Sequence, residues 1–574
     1  MSSTGDPDVH DATGSIAMPA PPLYAVPAGM ADPLRVAMLL PERIPGWVAA
    51  FIRLAAENAW IDVTVLHTGA AGAMPVPGCS VDLRALLAVE RLRGRRGGVS
   101  LAPVASATLP QAVAAPDSGL DADPEGLRRR ILGLRPDVVL ALAGEAHAPM
   151  LAACARWGCW RLDGNLVHPT RAGLPLLAPM LRGEAATALE LELHCPPMPP
   201  ELLARSWGAT RHGSFALQRE RAFLKLAPLL LRALHRLADD RLALPEGALA
   251  TLRLRPPVPA LGMAAGARAI ATTLRATAHW RWKRRQPQTW MLAIRRTKAL
   301  LDLDAPVMGE SAMLRSPRGY WADPCVVEAS GSLLLFVEEW NPQTRKGEIA
   351  CLQLEGNEVR RLGLVLDGPG HLSFPQPFRW QGDWYMTVES SQARRISLYR
   401  ATAFPLQWQR LCDLVTDRVC VDPALHFHEG RWYLFANVAE NGNSTWDELF
   451  LFVGETLTGP FRPHPCNPIV SDVRRARLAG RLFRRDGRLI RPAQDCAPGY
   501  GAAVVFHEVQ ELGPDRYRER VLSRLAPGWD PGLDGCHTYG AAGSVEVLDL
   551  HGRARAGTAP LRVADAAAAP VLPA

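Results

Sequence analysis

One pattern is written four times between residues 323 and 495, and it constrains the fold more than any other feature of the chain. Each copy has an opening, an apolar run, a turn glycine eight positions later, and a second apolar run with a polar residue at position fifteen. The copies open at residues 323, 374, 422 and 479, which are 51, 48 and 57 residues apart. Paired strands that recur about every fifty residues predict a β-propeller with one blade per copy.

The repeat also places polar side chains at one equivalent position in each blade. These residues are Glu338, Glu389, Asn437 and Gln494. In a propeller, equivalent positions of successive blades face a shared pocket at one end of the central channel. Such a pocket can gather carboxylates that are far apart in sequence. Glycoside chemistry needs two of them, one as base or nucleophile and one protonated as acid.

Further strand-like segments complete the predicted propeller. Residues 518–525 and 544–550 are predicted to form a fifth blade, and the strand at residues 290–294 should pair with the last blade as its closing strand. The sequence therefore predicts an all-β five-bladed β-propeller over residues 286–555. The Ala- and Pro-rich residues 556–574 are predicted to form a tail.

The first half of the chain has a different pattern. Strand-like runs at residues 34–38 and 62–66 flank a segment with helical periodicity, which indicates the β-α-β opening of an α/β domain over residues 33–240. Residues 1–32 are rich in Ser, Gly, Asp, Pro and Ala, so they are predicted to form a disordered leader. Residues 241–285 are predicted to be a Pro-rich and helical linker, which makes the chain multidomain.

Composition narrows the classes of partner and compartment. The net charge of +7 on 574 residues is modest and spread out, so no nucleic-acid partner is predicted. The 11 cysteines form no CxxC pair, which favours reduced thiols and a cytoplasmic location. No metal or cofactor is predicted from the motifs. The sequence contains no uninterrupted apolar run of about 18 residues, so no transmembrane span is expected.

The linker helix ends in a basic segment with interleaved tryptophans, residues 279–285. Two explanations stay open for this segment. It contacts a membrane surface, or its cations complement the dipole at the C-terminus of their own helix.

A motif in the α/β domain resembles a known enzyme family. The run Gly164-Asn165-Leu166-Val167-His168-Pro169-Thr170 is similar to the formyltransferase motif, in which an Asn, a His and a later Asp act on a folate-carried formyl group. Asn165 and His168 match the first two, whereas the expected Asp is absent. The resemblance implies a formyltransferase-like, Rossmann-type fold. Either an active formyl- or acyl-transferring domain or an inactive scaffold fits it.

The blade openings resemble those of five-bladed propeller glycosidases such as glycoside hydrolase family 43. The matching runs are Ala322-Asp323-Pro324 and Val421-Asp422-Pro423-Ala424-Leu425. By this resemblance Asp323 is the general base, while Asp422 adjusts the pKa of the acid and positions the sugar. The alternative role for both residues is to cap the blade opening by accepting backbone N–H groups.

The fourth opening departs from that family. The family has Glu-Gly-Pro there and uses the Glu as general acid, whereas this chain has Ala479-Gly480-Arg481. An acid must come from another position, and Glu338 and Glu389 are the candidates. Arg481 is a permanent cation two positions after Ala479, which replaces the family's glutamate, and it could bind an anionic group.

Five motifs in order resemble the N-terminal domain of plant-type glucosamine inositolphosphorylceramide transferase. They are Phe336-Val337-Glu338-Glu339, His371-Leu372-Ser373-Phe374-Pro375, Val388-Glu389-Ser390, Trp446-Asp447-Glu448-Leu449 and Gly480-Arg481-Leu482-Phe483 with Arg491-Pro492-Ala493-Gln494-Asp495-Cys496. Bacterial proteins join such a propeller to a formyltransferase-like domain, so a bacterial protein is expected. Candidate substrate-binding residues are Glu339, Asp447, Glu448, Arg481, Arg491, Asp495 and His537.

Together these features favour a carbohydrate-active protein that handles a sugar or sugar-phosphate conjugate at the propeller face. Glycosyl transfer or modification is preferred over hydrolysis because the hydrolytic acid of the glycosidases is missing. A glycan-binding propeller without catalysis and formyl or acyl transfer by the N-terminal domain are the alternatives. Neither the sugar, the acceptor nor the oligomeric state follows from the sequence.

Overall fold

The computed structural model divides the chain into an α/β unit followed by five β-sheets. It describes residues 22–67, 123–142, 147–163, 174–239, 244–255, 263–284, 289–297, 299–356, 358–553 and 562–565, with short stretches between residues 86 and 113 and the single residues Leu166 and Leu242.

The α/β unit contains ten strands and five helices within its described residues. The strands are β1 Leu34–Leu40, β2 Arg43–Pro45, β3 Ile61–His67, β4 Pro103–Ala105, β5 Ala112–Val113, β6 Val138–Ala141, β7 Cys159–Leu162, β8 Ala186–His194, β9 Glu201–Ala209 and β10 Leu249–Leu254. The helices are α1 Gly46–Ala56, α2 Pro124–Leu134, α3 Ala148–Ala152, α4 Leu174–Arg182 and α5 Phe215–Ala238.

Eight of these strands form one mixed sheet in the order β5-β3-β1-β6-β7-β10-β8-β9. Neighbours are parallel from β5 to β10, while β8 is antiparallel to both β10 and β9. The predicted α/β class and its β-α-β opening are therefore confirmed. The more specific formyltransferase-type identity stays a prediction.

The boundary between the α/β unit and the linker differs from the prediction. Strand β10 lies inside residues 241–285, and it pairs with β7 and β8 in the interior of the sheet. Its buried residues are Ala250, Leu252 and Leu254, which alternate along the strand. This alternation of period two is short and follows a Pro-containing segment, so the sequence pattern indicated a linker instead.

A sixth helix, α6, spans Met263–Arg284 between the two units. Near its end Trp282 is 59% exposed. Both explanations for this basic segment, contact with a membrane surface and complementing the helix dipole, stay predictions. Among the helices that the structure describes, none is long and apolar enough to span a membrane.

The propeller contains the remaining strands. They are β11 Thr289–Arg296, β12 Ala312–Leu314, β13 Tyr320–Ala329, β14 Ser332–Asn341, β15 Lys346–Glu355, β16 Glu358–Leu366, β17 Ser373–Trp380, β18 Asp383–Ser390, β19 Arg395–Ala403, β20 Gln407–Val415, β21 Cys420–His428, β22 Arg431–Val438, β23 Glu448–Gly454, β24 Arg462–Pro463, β25 Val470–Ser471, β26 Phe483–Arg485, β27 Arg488–Asp495, β28 Ala503–Leu512, β29 Tyr517–Leu525, β30 Leu533–Ala542, β31 Val545–Gly552 and β32 Arg562–Asp565. A 3-10 turn lies at Glu440–Gly442.

Five sheets form the five blades, which confirms the predicted β-propeller. Blade 1 is β13-β14-β15-β16-β32, blade 2 is β17-β18-β19-β20, blade 3 is β21-β22-β23-β24 with β25, blade 4 is β26-β27-β28-β29, and blade 5 is β12-β11-β31-β30. The predicted closing strand is also confirmed, because β11 pairs antiparallel with β31. The last blade thus joins strands from both ends of the propeller sequence.

Two predictions about the propeller's end need correction. The segment at residues 518–525 belongs to blade 4, where β29 pairs with β28, because β11 and β12 already supply the outer strands of blade 5. Residues 562–565, inside the predicted tail, form β32 and pair parallel with β16 at the outer edge of blade 1.

The α/β unit and the propeller pack together through one shared apolar core. This core contains Leu230 and Leu234 of α5 together with Phe450 and Phe452 of blade 3. The backbone also crosses the boundary, because Val473 N donates to Trp207 O at 3.0 Å. Residues of the predicted leader lie at this interface, since Tyr24 is 3% exposed and donates to Glu440 Oε1 at 2.5 Å.

Candidate functional site

A ring of hydrogen bonds links the five blade openings around the central channel. Each opening has a backbone N–H that reaches an acceptor in the preceding blade. The pairs are Asp323 N to Asp549 Oδ2 at 2.9 Å, Phe374 N to Asp323 Oδ2 at 3.2 Å, Asp422 N to Glu389 Oε2, Leu478 N to Asn437 Oδ1 at 2.9 Å, and Tyr539 N to Ala479 O at 2.8 Å. These contacts give buried backbone groups the partners that they need.

The first three openings share a strained backbone conformation. Asp323, Phe374 and Asp422 have φ angles of 50°, 52° and 51°, and each lies at a bulge between its strand and the next. A left-handed conformation is costly for residues other than glycine, and it persists only where surrounding contacts enforce it. The ring of hydrogen bonds supplies such contacts, and the bulges turn the Asp323 and Asp422 carboxylates into the channel.

His537 lies between two buried carboxylates in this channel. Its Nε2 is 3.2 Å from Asp323 Oδ1 and its Nδ1 is 2.7 Å from Asp549 Oδ2. Burial disfavours the charged imidazole, but Asp549 and Asp323 outweigh burial and raise the pKa of His537 to about 10. Conversely, burial favours the neutral acid at Asp323, but the hydrogen bond and charge of His537 hold its pKa below the usual range. At neutral pH the imidazolium therefore faces ionised Asp323.

Asp323, His537 and Asp549 also form a group whose ligand atoms lie within 4.8 Å of one another, close enough for a metal ion. A histidine ligates a metal through a neutral ring nitrogen. Here both ring nitrogens face carboxylates and the imidazole is held protonated. In this state the trio is therefore held together by the contacts of one imidazolium with two carboxylates.

Glu338 has a different environment from the other carboxylates. Among the described residues no backbone N–H donates to the Glu338 carboxyl group. Its Oε1 lies 3.4 Å from the Tyr320 hydroxyl and 3.5 Å from His371 Nε2. His371 Nδ1 accepts from Gly347 N at 2.8 Å, and burial lowers the pKa of His371, so its Nε2 carries the proton. Burial and the charge of Asp323 raise the pKa of Glu338 well above its ordinary value. The buried site therefore favours the neutral acid form of Glu338.

The third-blade carboxylate is clamped by an arginine. Arg477 Nε lies 2.6 Å from Asp422 Oδ2, and Arg477 Nη2 donates to Asp422 Oδ1 at 3.2 Å. Burial raises the pKa of Asp422 to about 6 even though Arg477 opposes the shift. Glu389 accepts from Ser373 Oγ at 2.8 Å as well as from Asp422 N, and burial with the charge of Asp422 raises its pKa to about 8.

Partly exposed aromatic rings surround the cluster. Tyr500 is 40% exposed and lies 3.4 Å from Arg477 Nη2, and its ring centroid is 5.8 Å from that of Trp446 and 6.2 Å from that of Trp290. Trp290 in turn lies over His537 at 4.0 Å. Ligand pockets typically combine such aromatic walls with a few polar groups.

Three predicted site residues instead form buried ion pairs or backbone contacts. Glu339 follows Glu338 on β14 and points to the opposite face, where it pairs with Arg361 at 2.6 Å. Arg481 donates to Pro377 O and Val326 O, both at 3.3 Å, rather than facing the acid cluster. Arg491 is fully buried and pairs with Glu519 at 2.7 Å.

Asp447, Glu448 and Asp495 lie outside the central cluster as well. Asp447 Oδ2 is 2.6 Å from Lys225 Nζ and Glu448 Oε2 is 3.2 Å from Arg232 Nη2, so both residues bind α5 of the α/β unit. Asp495 Oδ2 accepts from Arg524 Nε at 2.9 Å, near the end of β27. The remaining predicted residues, Asn165 and His168, lie outside the described residues, so formyl or acyl transfer stays a prediction.

The structure thus brings Asp323, Glu338, Glu389, Asp422 and His537 to one end of the channel. Sequence reasoning missed the partners Arg477, Tyr500, Asp549, Tyr320 and His371. Asp549 lies near the end of an apolar strand, as Glu338 does, and this pattern could have identified it. Arg477 precedes the fourth opening and lies outside the repeated positions, so the repeat carries no signal for it.

Comparison with known proteins relates the propeller to plant transferases. Residues 293–526 match the family described as "Glucosamine inositolphosphorylceramide transferase 1, N-terminal". Proteins called glucosamine inositolphosphorylceramide transferase 1 from Oryza sativa subsp. japonica and Arabidopsis thaliana are each 34% identical over 208 residues, which is 35% of this chain. The aligned parts are 28% and 27% of the plant proteins. The chain therefore spans less than a third of their length.

Solved glycoside hydrolases show a distant similarity. Zg3597, a family 117 enzyme from Zobellia galactanivorans, is 14% identical with a TM-score of 0.29, covering 40% of this chain and 84% of that chain. The GH43_1 enzyme from Xanthomonas citri is also 14% identical, with a TM-score of 0.30 and coverage of 43% and 92%. The propeller itself is evident from the chain's own five sheets. Its sequence is similar to the N-terminal domain of the plant transferases.

Proposed function

We propose that the propeller is a carbohydrate-active unit that binds a sugar or sugar-phosphate conjugate at its blade openings. The observation that carries this proposal is the burial of two carboxyl groups in one cluster, where Asp323 has a lowered pKa and favours the ionised state while Glu338 has a raised pKa and favours the neutral acid. Sugar chemistry through an oxocarbenium-like transition state uses one carboxyl group in each state. The similarity to plant transferases adds support, although it covers only part of those proteins.

Glu338 is the proposed general acid. Its proton would pass to the oxygen that leaves the anomeric carbon, which is the role of the missing glycosidase acid. Of the two candidates that the sequence leaves open, Glu338 fits this role better, because Glu389 is occupied as an acceptor for Asp422 N and Ser373 Oγ.

Asp323 is proposed to stabilise positive charge at the anomeric carbon. Its carboxylate accepts from Thr538 Oγ1 and Phe374 N, both at 3.2 Å, and faces His537. These contacts and its low pKa make Asp323 a weak base. Its negative charge is therefore proposed to stabilise the transition state more than proton abstraction by Asp323 would. Arg477 and Tyr500 are positioned to contact the bound conjugate at the other side of the cluster.

Glycan binding without turnover is the second candidate. The observation that favours it is the same saturation of Asp323 with donors, which suits a rigid binding site as well as a catalytic one. Transfer and hydrolysis remain two forms of the first candidate, because both need the same pair of carboxyl groups.

A product assay separates these functions. The full chain is incubated with a nucleoside-diphosphate sugar and a soluble phosphoinositol acceptor, and products are identified by mass spectrometry. Glycosylated acceptor indicates transfer, whereas free sugar indicates hydrolysis. Under the catalytic proposal Glu338→Gln abolishes either product but leaves binding measurable, and the exposed Glu328→Gln in the same blade is the matched control. Turnover that survives in Glu338→Gln would remove the catalytic role.

A further inference from the structure

A cleft between the α/β unit and the propeller has the character of an anion site. The cavity volume is only about 30 Å³, and the cleft is open to solvent. Its walls come from β8, β9, α5 and the loop before Asp447. Arg211, Arg221 and Lys225 line this cleft together with Asn443 and Ser444. Three cations therefore meet at a boundary that also contains Asp447.

The charges in the cleft do not cancel. Lys225 pairs with Asp447 at 2.6 Å, which uses the carboxylate. Arg211 and Arg221 form no ion pair with any residue that the structure describes. Arg211 Nε is buried and donates to no described acceptor. The nearby Gln218 Oε1 accepts from the backbone N–H of Arg211, not from the Arg211 guanidinium. Arg211 is thus left with one unused buried donor, and Arg221 has no carboxylate partner among the described residues.

The electrostatics of Arg211 agree with this geometry. Burial and the nearby charge of Arg221 lower the pKa of Arg211, so the folded chain holds two like charges together in a partly desolvated place. Such an arrangement is unfavourable by itself, and an anion between the two groups would relieve it. Planar guanidinium groups bind phosphate oxygens in a bidentate manner, which makes phosphate the best-matched ligand.

The cleft also adjoins the propeller site. The guanidinium carbon of Arg211 lies 5.0 Å from the Trp446 ring centroid, and the Trp446 ring is 5.8 Å from that of Tyr500. Tyr500 contacts Arg477 at the acidic cluster. A ligand could therefore place a sugar over the cluster and an anionic group beside Trp446.

From this arrangement we infer that Arg211 and Arg221 form a phosphate subsite through which the α/β unit helps to select a phosphorylated sugar conjugate. Both arginines lie outside residues 293–526, so the region shared with the plant transferases does not supply them. The connection to a sugar rests on the proposed function, whereas phosphate binding by the cleft stands independently.

The test measures pyrophosphate binding to the full chain by isothermal titration calorimetry. Arg211→Gln and Arg221→Gln should each weaken binding about tenfold, because each removes charge-assisted hydrogen bonds. Arg182→Gln is the matched control, since Arg182 is an exposed arginine of the same unit that already pairs with Glu184. Arg211→Lys should restore part of the affinity. If Arg211→Gln does not fold, the partly exposed Arg221 provides the same comparison.

Two results would overturn the inference: pyrophosphate fails to bind, or both glutamine variants bind it as the unmodified chain does. Neutral-sugar binding measured on the same variants reports on the propeller site alone, so the two proposals can fail separately. A nucleoside-diphosphate sugar and glycerophosphoinositol distinguish the sources of the phosphate. Binding of either that depends on Arg211 supports the subsite and assigns it to a donor or a headgroup.

Discussion

Asp323 Oδ2 accepts the backbone N–H of Phe374 at 3.2 Å, and this contact separates the roles of the repeated glutamates. In the next blade, the equivalent contact to Asp422 N is made by Glu389. Because Asp323 takes this role in blade 1, Glu338 has no backbone donor among the described residues. One repeat position thus provides a structural acceptor in blade 2 and, in the proposed function, the general acid in blade 1.

The first prediction compares the two glutamates by stability. Glu389→Ala leaves Asp422 N and Ser373 Oγ without their acceptor, so the free energy of unfolding should fall about 1–3 kcal/mol further than in Glu338→Ala. Both variants remove the same side-chain volume, so the difference isolates the hydrogen bonds. Urea denaturation followed by circular dichroism measures it. Equal losses would show that Glu338 is as structural as Glu389.

The second prediction concerns pH and His537. Its folded pKa of about 10 exceeds the unfolded value of about 6.5. A raised pKa gives stability that is fully present below pH 6.5 and lost as the pH rises toward 10. The contribution of His537 to the free energy of unfolding should therefore fall between these values with a slope of up to about 1.4 kcal/mol per pH unit. Below pH 8 this fall adds to the loss from Glu389, whose pKa is raised to about 8.

This slope is measured by urea denaturation at pH 6.5, 8 and 9.5. His537→Gln should flatten it, whereas His551→Gln, a histidine of the same blade paired with Asp534, should keep it. An equal slope in the unmodified chain and His537→Gln would contradict the assigned charge state.

The third prediction contrasts two arginines four positions apart. Arg477 contacts Asp422 and Tyr500, whereas Arg481 bonds only backbone carbonyls of blades 1 and 2. Arg477→Met should therefore weaken binding of a sugar conjugate by at least about tenfold, which corresponds to about 1.4 kcal/mol. Arg481→Met should alter stability but leave the affinity unchanged. The reverse result would restore the site role that the sequence suggested for Arg481.

The fourth prediction concerns the contact between the two units. Lys225 and Asp447 have side chains only 7% and 3% exposed, so Lys225→Met strands a buried carboxylate. The free energy of unfolding should fall by about 3–5 kcal/mol, as it does when one partner of a buried pair is removed. The double variant Lys225→Met with Asp447→Asn should recover part of this loss. No recovery would mean that the pair contributes little as a charge pair.

The fold could largely be predicted from the sequence, because the repeat fixes strand pairing within each blade. The position of residues 518–525 could not, since β11 and β12 replace them in blade 5 through a contact between the chain's distant segments. The pattern predicted that the strand at residues 290–294 closes the last blade, but it did not show that β12 joins it there and leaves residues 518–525 to blade 4. The same limit explains why Tyr24, in a polar leader, is buried against Glu440.

The site could be predicted only in part. Residues at repeated positions, such as Asp323 and Glu338, were accessible because equivalent blade positions face one channel. Residues at neighbouring positions were harder to assign, because Glu339 and Arg491 are also charged strand residues. The pleat of the strand turns Glu339 away from the acid cluster, and Glu519 neutralises Arg491 inside blade 4. Arg477 and Arg211 come from loops, where spacing predicts no direction.

The most direct test of the central claim is calorimetric titration of the full chain with nucleoside-diphosphate sugars and soluble glycosylated phosphoinositols. We predict that at least one of these conjugates binds to the Asp323–Glu338 cluster. Its affinity should fall about tenfold or more in Glu338→Ala, which removes the carboxyl group, and stay unchanged in Glu328→Ala. If none binds, or if both variants bind as the unmodified chain does, the blade openings are not the site.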